Sequence, residues 1–380
     1  MKIAFLGTGF VADYYMATLP NHRGLELAGV FDRDAARLAQ FCDFYHVRAY
    51  ESVEALLGDA SVGVVAILTT PESHFELSQR ALRAGKHVYC EKPLAMRFDE
   101  ASALVELADT LGLTLATAPA NALSAAHERV REALASGRIG APRLIYAEME
   151  DGAVFRDKWA EWRSRSGAKW PGAHEFEIGC TLEHAGYALS WLTSLFGPVE
   201  SLTAFSALAF PDKGPGTEKL ALAPDFSVGC LRFKSGPVAR LTCGLAAPKD
   251  RSLTILGDAG SITVRDLWDE RSVVHLEAKG QGRALRTRLA GRIESKLGKF
   301  LAWKPTPGRR LSYPPTLKKA LPGFPSQIDF CAGIAAQAEA IAQNRKPQFS
   351  GALALHITEL VLALNNAHDL PQPYRLRSTF

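Results

Sequence analysis

Lys2-Ile3-Ala4-Phe5-Leu6-Gly7-Thr8-Gly9-Phe10-Val11-Ala12 decides the fold: an apolar run of strand length meets a glycine-rich turn, and a helical pattern starts at once and continues through Leu19. Gly7 permits the tight turn, Gly9 leaves room for phosphates to approach the backbone, and Ala12 lets helix and strand pack closely, with the helix N-terminus turned toward the anion. Such a turn gains meaning from its context. A second apolar strand, Leu25 to Phe31, ends in Asp32, at roughly the 20-residue spacing where an acid accepts hydrogen bonds from the ribose of a dinucleotide. A carboxylate there repels a 2′-phosphate, so NAD is the expected cofactor. Arg33, directly after the acid, keeps NADP as the second form, because a guanidinium can serve that phosphate or stack on adenine.

Outward from this turn the pattern alternates. Helices are expected over 35–41, 53–57, 73–84 and 99–111, and strands over 47–50, 62–68, 87–90 and 113–117. That is a doubly wound parallel α/β sheet, a Rossmann dinucleotide-binding domain over residues 1–121. Ligands of such sheets bind at the carboxyl ends of the strands, and two turns arrive there: Thr69-Thr70-Pro71 and Glu91-Lys92-Pro93. A residue before proline is held extended, so the Lys92 ammonium is aimed and can polarise a sugar hydroxyl. A plain surface turn is the competing reading of that tripeptide. His74 opens the next helix, where it packs, caps the helix start or touches the nicotinamide side.

Gly7 to Ala12, Asp32, Thr70-Pro71 followed by His74, Glu91-Lys92-Pro93 and Gly137-Arg138-Ile139-Gly140 together resemble the Gfo/Idh/MocA family of sugar-type oxidoreductases, across about the first 200 residues. The resemblance implies a Rossmann domain followed by an α+β domain with an open, mainly antiparallel sheet. It implies NAD held by Gly7, Thr8, Gly9, Phe10, Val11, Ala12, Asp32, Arg33, Thr69, Thr70, Pro71, His74, Glu91, Lys92 and Pro93, with Lys92 polarising the substrate. The family's second catalytic stretch, roughly G-x-L-x-D-x-G-x-H, is best matched by Gly179-Cys180-Thr181-Leu182-Glu183-His184-Ala185-Gly186-Tyr187. Glu183 replaces the usual aspartate, and Tyr187 the usual proton-transferring histidine. A cation such as Lys92 beside Tyr187 would favour its phenolate and let it act as the base. His184 is the rival, with the better placed intrinsic pKa. Three residues apart on a helix, the two share a face. Glu183 would orient Tyr187 or Lys92. Where the family often carries an arginine, this chain reads Ala118-Pro119-Ala120-Asn121-Ala122, so Asn121 either hydrogen-bonds a sugar hydroxyl or caps the helix expected over 127–135.

Residues 122–380 are expected to form the second domain, for substrate and oligomer contacts. Strands are expected over 144–148, 199–205, 226–233, 238–243, 253–256 and 261–264, and helices over 326–344 and 351–367 that pack back on the rest. The loop from Asp151 to Phe176 is rich in tryptophan, arginine and lysine. Arg156, Trp162 and Arg163 suit the faces and acidic groups of a sugar, so a sugar or sugar derivative is the expected substrate, an acidic or nucleotide-linked (anionic) one among the candidates. The same residue types suit a homo-oligomer interface, which is also expected.

Composition narrows the classes. At 380 residues, 47% hydrophobic and 22% charged, the chain is an ordinary globular protein with no run long enough to span a bilayer. Met1-Lys2-Ile3-Ala4 enters a strand directly, and the six cysteines form no C-x-x-C pair, so a reducing cytoplasmic location is expected, without metal or disulfide framework. Lys279 to Lys319 holds 12 Lys or Arg against the single acid Glu294, with Leu285, Leu289, Ile293, Leu297 and Leu301 every four residues. An insertion docked on its own protein is the first reading of this basic stripe. Peripheral membrane contact by residues 283–301 is the second, and nucleic-acid binding is not expected. The expected function is an NAD-dependent oxidoreductase taking hydride from a secondary alcohol of a sugar, sugar derivative or cyclitol. The alternatives are an NAD-retaining glycoside hydrolase that oxidises carbon 3 transiently, and a catalytically inactive NAD-binding sensor or scaffold.

Overall fold

The computed structural model describes residues 1–278, 306–315, 318–323 and 326–380. The basic stripe expected over 285–301 lies outside them. The first half alternates β1 (Lys2–Leu6), α1 (Ala12–Thr18), β2 (Glu26–Phe31), α2 (Ala35–Tyr45), α3 (Val53–Gly58), β3 (Val64–Ile67), α4 (His74–Arg83), β4 (His87–Cys90), α5 (Phe98–Thr110) and β5 (Leu115–Thr117). The five strands pair in the order β2-β1-β3-β4-β5, all parallel. Both faces of this sheet are covered, which explains why its strands are continuous apolar runs and not alternating ones. Ile3 and Phe5 enter one core with Tyr15 and Phe41, while Ala4 and Leu6 enter another with Ala81, Leu104 and Ala354. The strand expected over 47–50 does not form. Only a single bridge joins Ala49 to Val30, because Tyr50 turns its ring into the core and its hydroxyl to Asp59.

Beyond β5 the chain forms α6 (Ala125–Ala135), β6 (Pro142–Glu150), α7 (Gly172–Ile178), α8 (Cys180–Phe196), β7 (Val199–Ala207), β8 (Phe226–Phe233), β9 (Val238–Gly244), β10 (Leu253–Gly257), β11 (Gly260–Val264), β12 (Val274–Ala278), β13 (Arg309–Arg310), α9 (Ala332–Ala342), α10 (Gly351–Asn365) and β14 (Tyr374–Arg375). Among the described residues nine strands run in the order β13-β12-β11-β10-β6-β9-β8-β7-β14. Every pairing is antiparallel except β6 with β9, which run parallel in the middle. β6 and β9 are therefore joined by a long crossover, and that crossover carries α7 and α8. One face of the sheet buries Ile145, Ala147 and Met149 against α8, whose Trp191 and Leu192 are wholly enclosed. The other face leaves Leu144, Tyr146 and Phe205 exposed.

The last helices return to the first sheet. Gln337 on α9 donates to the carbonyls of Val88 and Thr114, 2.9 and 3.2 Å away, and α10 packs between α5 and α8. Among the described residues no helix is long and apolar enough to cross a membrane.

Candidate active site

The glycine turn builds one end of a crevice of about 1290 Å³ that runs between the two sheets. Gly7 has φ +103°, and a Cβ there would strike the carbonyl oxygen of Leu68 at 2.6 Å, so the tight turn requires glycine. A Cβ on Gly9 would meet nothing within 4 Å, which leaves bare backbone facing open space at the start of α1. That cradle fits a pyrophosphate. Gly7, Gly9, Phe10, Val11, Asp32, Arg33, Thr69, Thr70, Pro71, Glu91 and Lys92 line the crevice. Thr8 and Ala12 do not: both are wholly buried, Ala12 in the helix–strand contact and Thr8 with its N–H and hydroxyl on Asp32, 2.8 and 3.0 Å away. Asp32 also accepts from the N–H of Asp34 and forms a bidentate pair with Arg37 at 2.6 and 3.0 Å. Burial would raise its pKa, but Arg37 and the two N–H groups outweigh burial and hold it below the usual carboxylate range.

His74 sits below the crevice wall. Fully buried, it places Nδ1 2.7 Å from the Pro93 carbonyl and Nε2 3.1 Å from that of Thr69, and burial lowers its pKa. It ties the two ligand-side turns together and contacts them only through their backbones. Glu91 is spent inside as well, accepting the Tyr15 hydroxyl at 2.6 Å and the N–H of Lys92 at 3.1 Å.

The opposite wall is α8. Gly179, with φ +94°, makes the corner from α7, where a Cβ would press on the Pro224 carbonyl at 3.0 Å. From that corner Glu183, His184 and Tyr187 all reach the crevice. The Lys92 ammonium forms an ion pair with Glu183 and lies 5.9 Å from the centroid of the Tyr187 ring. Burial alone would lower the Lys92 pKa; the charges of Glu183 and Glu91 overcome it and keep the amine protonated. Glu183 is held ionised by the same pair, against its own burial. The phenolate expected at Tyr187 is not favoured. Burial raises the phenol well above its ordinary value, and Lys92 offsets this only in part because its charge is already neutralised by Glu183. His184 has its pKa lowered by burial, with Asp151 opposing, so its ring is neutral near pH 7.

Asn121 does not reach the crevice. It is 2% exposed, donates to the carbonyls of Tyr187 and Leu267 at 2.9 and 3.1 Å, and accepts the Ser190 hydroxyl. Nor does it cap α6, a task performed by Ser124, whose hydroxyl accepts the N–H of His127. Its buried amide instead fixes the backbone of α8 beneath Tyr187. Arg156 is exposed, lies 5.7 Å from the ring of Phe155, and is not among the lining residues. Trp162 and Arg163 do line the crevice.

Several crevice residues went unforeseen. Asp151, at the end of β6, is 3.1 Å from Nδ1 of His184 and accepts from Arg251 Nε at 2.6 Å. The Arg251 guanidinium covers the Trp268 ring at 3.5 Å, and Trp268 in turn lies 4.5 Å from the ring of Tyr187. Glu175 on α7 faces the same space, and burial followed by the charge of Glu183 pushes its carboxyl well up, so it stays protonated. No local motif marks these residues; four separate elements carry them. Among the described residues no group of three or more His, Cys, Asp or Glu is arranged to hold a metal ion.

Residues 1–118 match the oxidoreductase family GFO_IDH_MocA, described as having an NAD-binding Rossmann fold, and residues 127–263 match the GFO/IDH/MocA C-terminal domain. A 1,5-anhydro-D-fructose reductase from Ensifer adhaerens is 37% identical over 270 residues, 70% of this chain and 77% of that one. A UDP-N-acetylglucosamine 3-dehydrogenase from Acidithiobacillus ferrooxidans is 30% identical over 229 residues, 56% of this chain and 69% of the other. In fold, an aldose-aldose oxidoreductase from Caulobacter crescentus superposes with a TM-score of 0.76 at 18% identity, covering 99% of both chains.

Proposed function

We propose, on the premise that this chain belongs to the Gfo/Idh/MocA family of sugar-type, NAD(P)-dependent oxidoreductases, that it interconverts a secondary carbinol and a ketone on the ring of a sugar or cyclic polyol. The observation that carries this reading is the meeting of Lys92, Glu183 and Tyr187 in the crevice that begins at the glycine turn. The dinucleotide supplies a hydride acceptor or donor. Gly7, Gly9 and the start of α1 would hold its pyrophosphate, and Asp32 its ribose. Lys92, kept charged by Glu183, polarises the substrate oxygen and stabilises negative charge that develops on it. Tyr187, kept protonated by burial, is placed to give a proton to that oxygen in the proposed reductive direction and to take it back in the reverse one. The anhydrofructose reductase at 37% identity supports the same direction. The neutral His184 ring beside Tyr187 is the rival for the same proton-transfer role.

The test is a panel of cyclic keto-sugars and polyols, anionic members included, followed by nicotinamide absorbance. Consumption of NADH or NADPH with a keto-sugar is the expected result; no redox turnover in either direction counts against it. A second reading, transient oxidation with glycoside cleavage, is favoured by Glu175, a protonated carboxyl in the crevice suited to a leaving group. Aglycone release without net change in NADH is its signature. Binding of the dinucleotide without any turnover would leave the sensor reading.

A further inference from the structure

Asp13 stands in the first turn of α1, the helix whose N-terminus faces the pyrophosphate cradle. A carboxylate beside an incoming anion opposes binding, so its burial there at 1% exposure needs another use. Its oxygens accept the N–H and the hydroxyl of Ser166, each at 2.7 Å, and the Tyr45 hydroxyl at 2.7 Å. Ser166 comes from the other half of the protein, 153 residues along the chain, and is itself 5% exposed.

Ser166 is the tip of a hairpin. Arg163 bridges Lys169, the N–H of Ser164 reaches the carbonyl of Ala168 at 2.9 Å, and Gly167 turns with φ +93°. A Cβ on Gly167 would strike the Gln40 side chain at 2.2 Å, so the tip sits against α2, close to the element that carries Arg37. Arg163, Arg165 and Lys169 line the crevice together with Asp32, Arg37 and Gln40. A second tie joins the same halves, His174 on α7 to Glu72 before α4 at 2.6 Å.

We propose that the hairpin over residues 163–169 is a clasp, fastened by Ser166 to Asp13, that slows the departure of the dinucleotide. The clasp rests on the dinucleotide reading of the crevice given above. Three features carry it: the fastening is buried and charge-assisted, it spans the nucleotide end of the crevice and not the Lys92 end, and its cations line the cavity in which an anionic cofactor would lie. Each exchange of the cofactor requires these bonds to break, which slows release.

The experiment follows NADH and NADPH by energy transfer from Trp162 and Trp170 to the nicotinamide, with dissociation read by stopped-flow chase against excess NAD. The wild-type protein should carry dinucleotide after purification, released by acid, and should lose NADH more slowly than roughly 1 s⁻¹, the low end of ordinary turnover. Ser166→Ala should speed that loss roughly tenfold, the worth of a charge-assisted bond, and Ser166→Asp, which sets a second carboxylate against Asp13, should speed it further. Ser166 lies outside both sheets, and unchanged melting of the two variants confirms that they fold. Rapid release from the wild-type protein, or equal release rates in all three, overturns the clasp. Failure of either nucleotide to bind at all overturns the dinucleotide reading itself.

Discussion

At the scale of single residues, the crevice divides protonation between groups that sequence treats alike. Lys92 was legible because a proline follows it and a strand precedes it; its partner Glu183, 91 positions away, was legible as orienting Lys92 or Tyr187 only through the family resemblance. Asp151, Arg251 and Trp268 were invisible, being brought to His184 and Tyr187 by a sheet and a crossover. Lys92→Ala should lower turnover by about 10²–10³-fold while NADH affinity changes little, because the side chain acts on the reacting oxygen and not on the nucleotide. Equal losses in both would place Lys92 in the binding site instead. Tyr187→Phe should cut reduction by roughly 10²–10⁴-fold at neutral pH. The sign of the pH profile follows from burial: the phenol is raised and the lysine is raised, so the proton donor and the cation both persist as pH rises. Reduction should be flat between about pH 7 and 9 and decline only above the ordinary tyrosine value near 10, read as kcat against pH. A limb below the ordinary histidine value near 6.5 would move the donor role to His184.

At the scale of elements, the parallel half was readable because each strand is a buried apolar run ended by a turn with its own chemistry. In the second sheet β6 to β11 were readable strand by strand, but β12, β13, β14 and the strand order were not. Nothing local in β6 says that it lies beside β9 in parallel, and the strand expected at 47–50 is reduced to a single parallel bridge to Val30 of β2, with Tyr50 buried in the core. The loop between β7 and β8 shows a different omission. Lys213, 1% exposed, forms an ion pair with Asp225, donates to the Phe210 carbonyl at 2.6 Å and lies 4.6 Å from the Phe155 ring, while Asp225 accepts the N–H groups of Ala209 and Phe210. A lysine in a loop reads as a solvated charge; here it is the loop's core. Lys213→Ala leaves the Asp225 carboxylate buried without its cation and should cost about 3–5 kcal/mol in denaturant unfolding. Lys213→Arg, which keeps the charge but enlarges the head, should recover part of that loss. A cost near zero for Lys213→Ala would mean that water replaces the ammonium.

At the scale of the whole molecule, the two sheets are joined by helices that each serve both. α10 lies between α5 and α8, Gln337 on α9 donates to the backbone of β4, and Gly333 passes so close to Tyr89 that a Cβ would sit 2.2 Å from its hydroxyl. Those contacts make the C-terminal helices part of the wall behind the Glu91-Lys92-Pro93 turn, so a change there is felt at the crevice. Gly333→Val should therefore destabilise the whole protein by about 1–3 kcal/mol through overpacking, in one unfolding transition common to fluorescence and circular dichroism. Two separated transitions would show that the sheets unfold independently. Acid should act through the same seams. His127, with Nε2 2.8 Å from the Ser194 hydroxyl, and His356, with Nδ1 2.9 Å from that of Ser378, are both pushed down to about 4 by burial. The folded state resists protonating them while the unfolded chain takes protons near pH 6.5, so their contribution is complete above that value and is lost as pH falls toward 4. Each should account for roughly 1–3 kcal/mol across that window. His356→Gln keeps one amide in reach of Val199 N–H or Ser378 and removes the titration. The slope of stability between pH 6.5 and 4 should flatten accordingly, and an unchanged slope would assign the acid sensitivity to other groups.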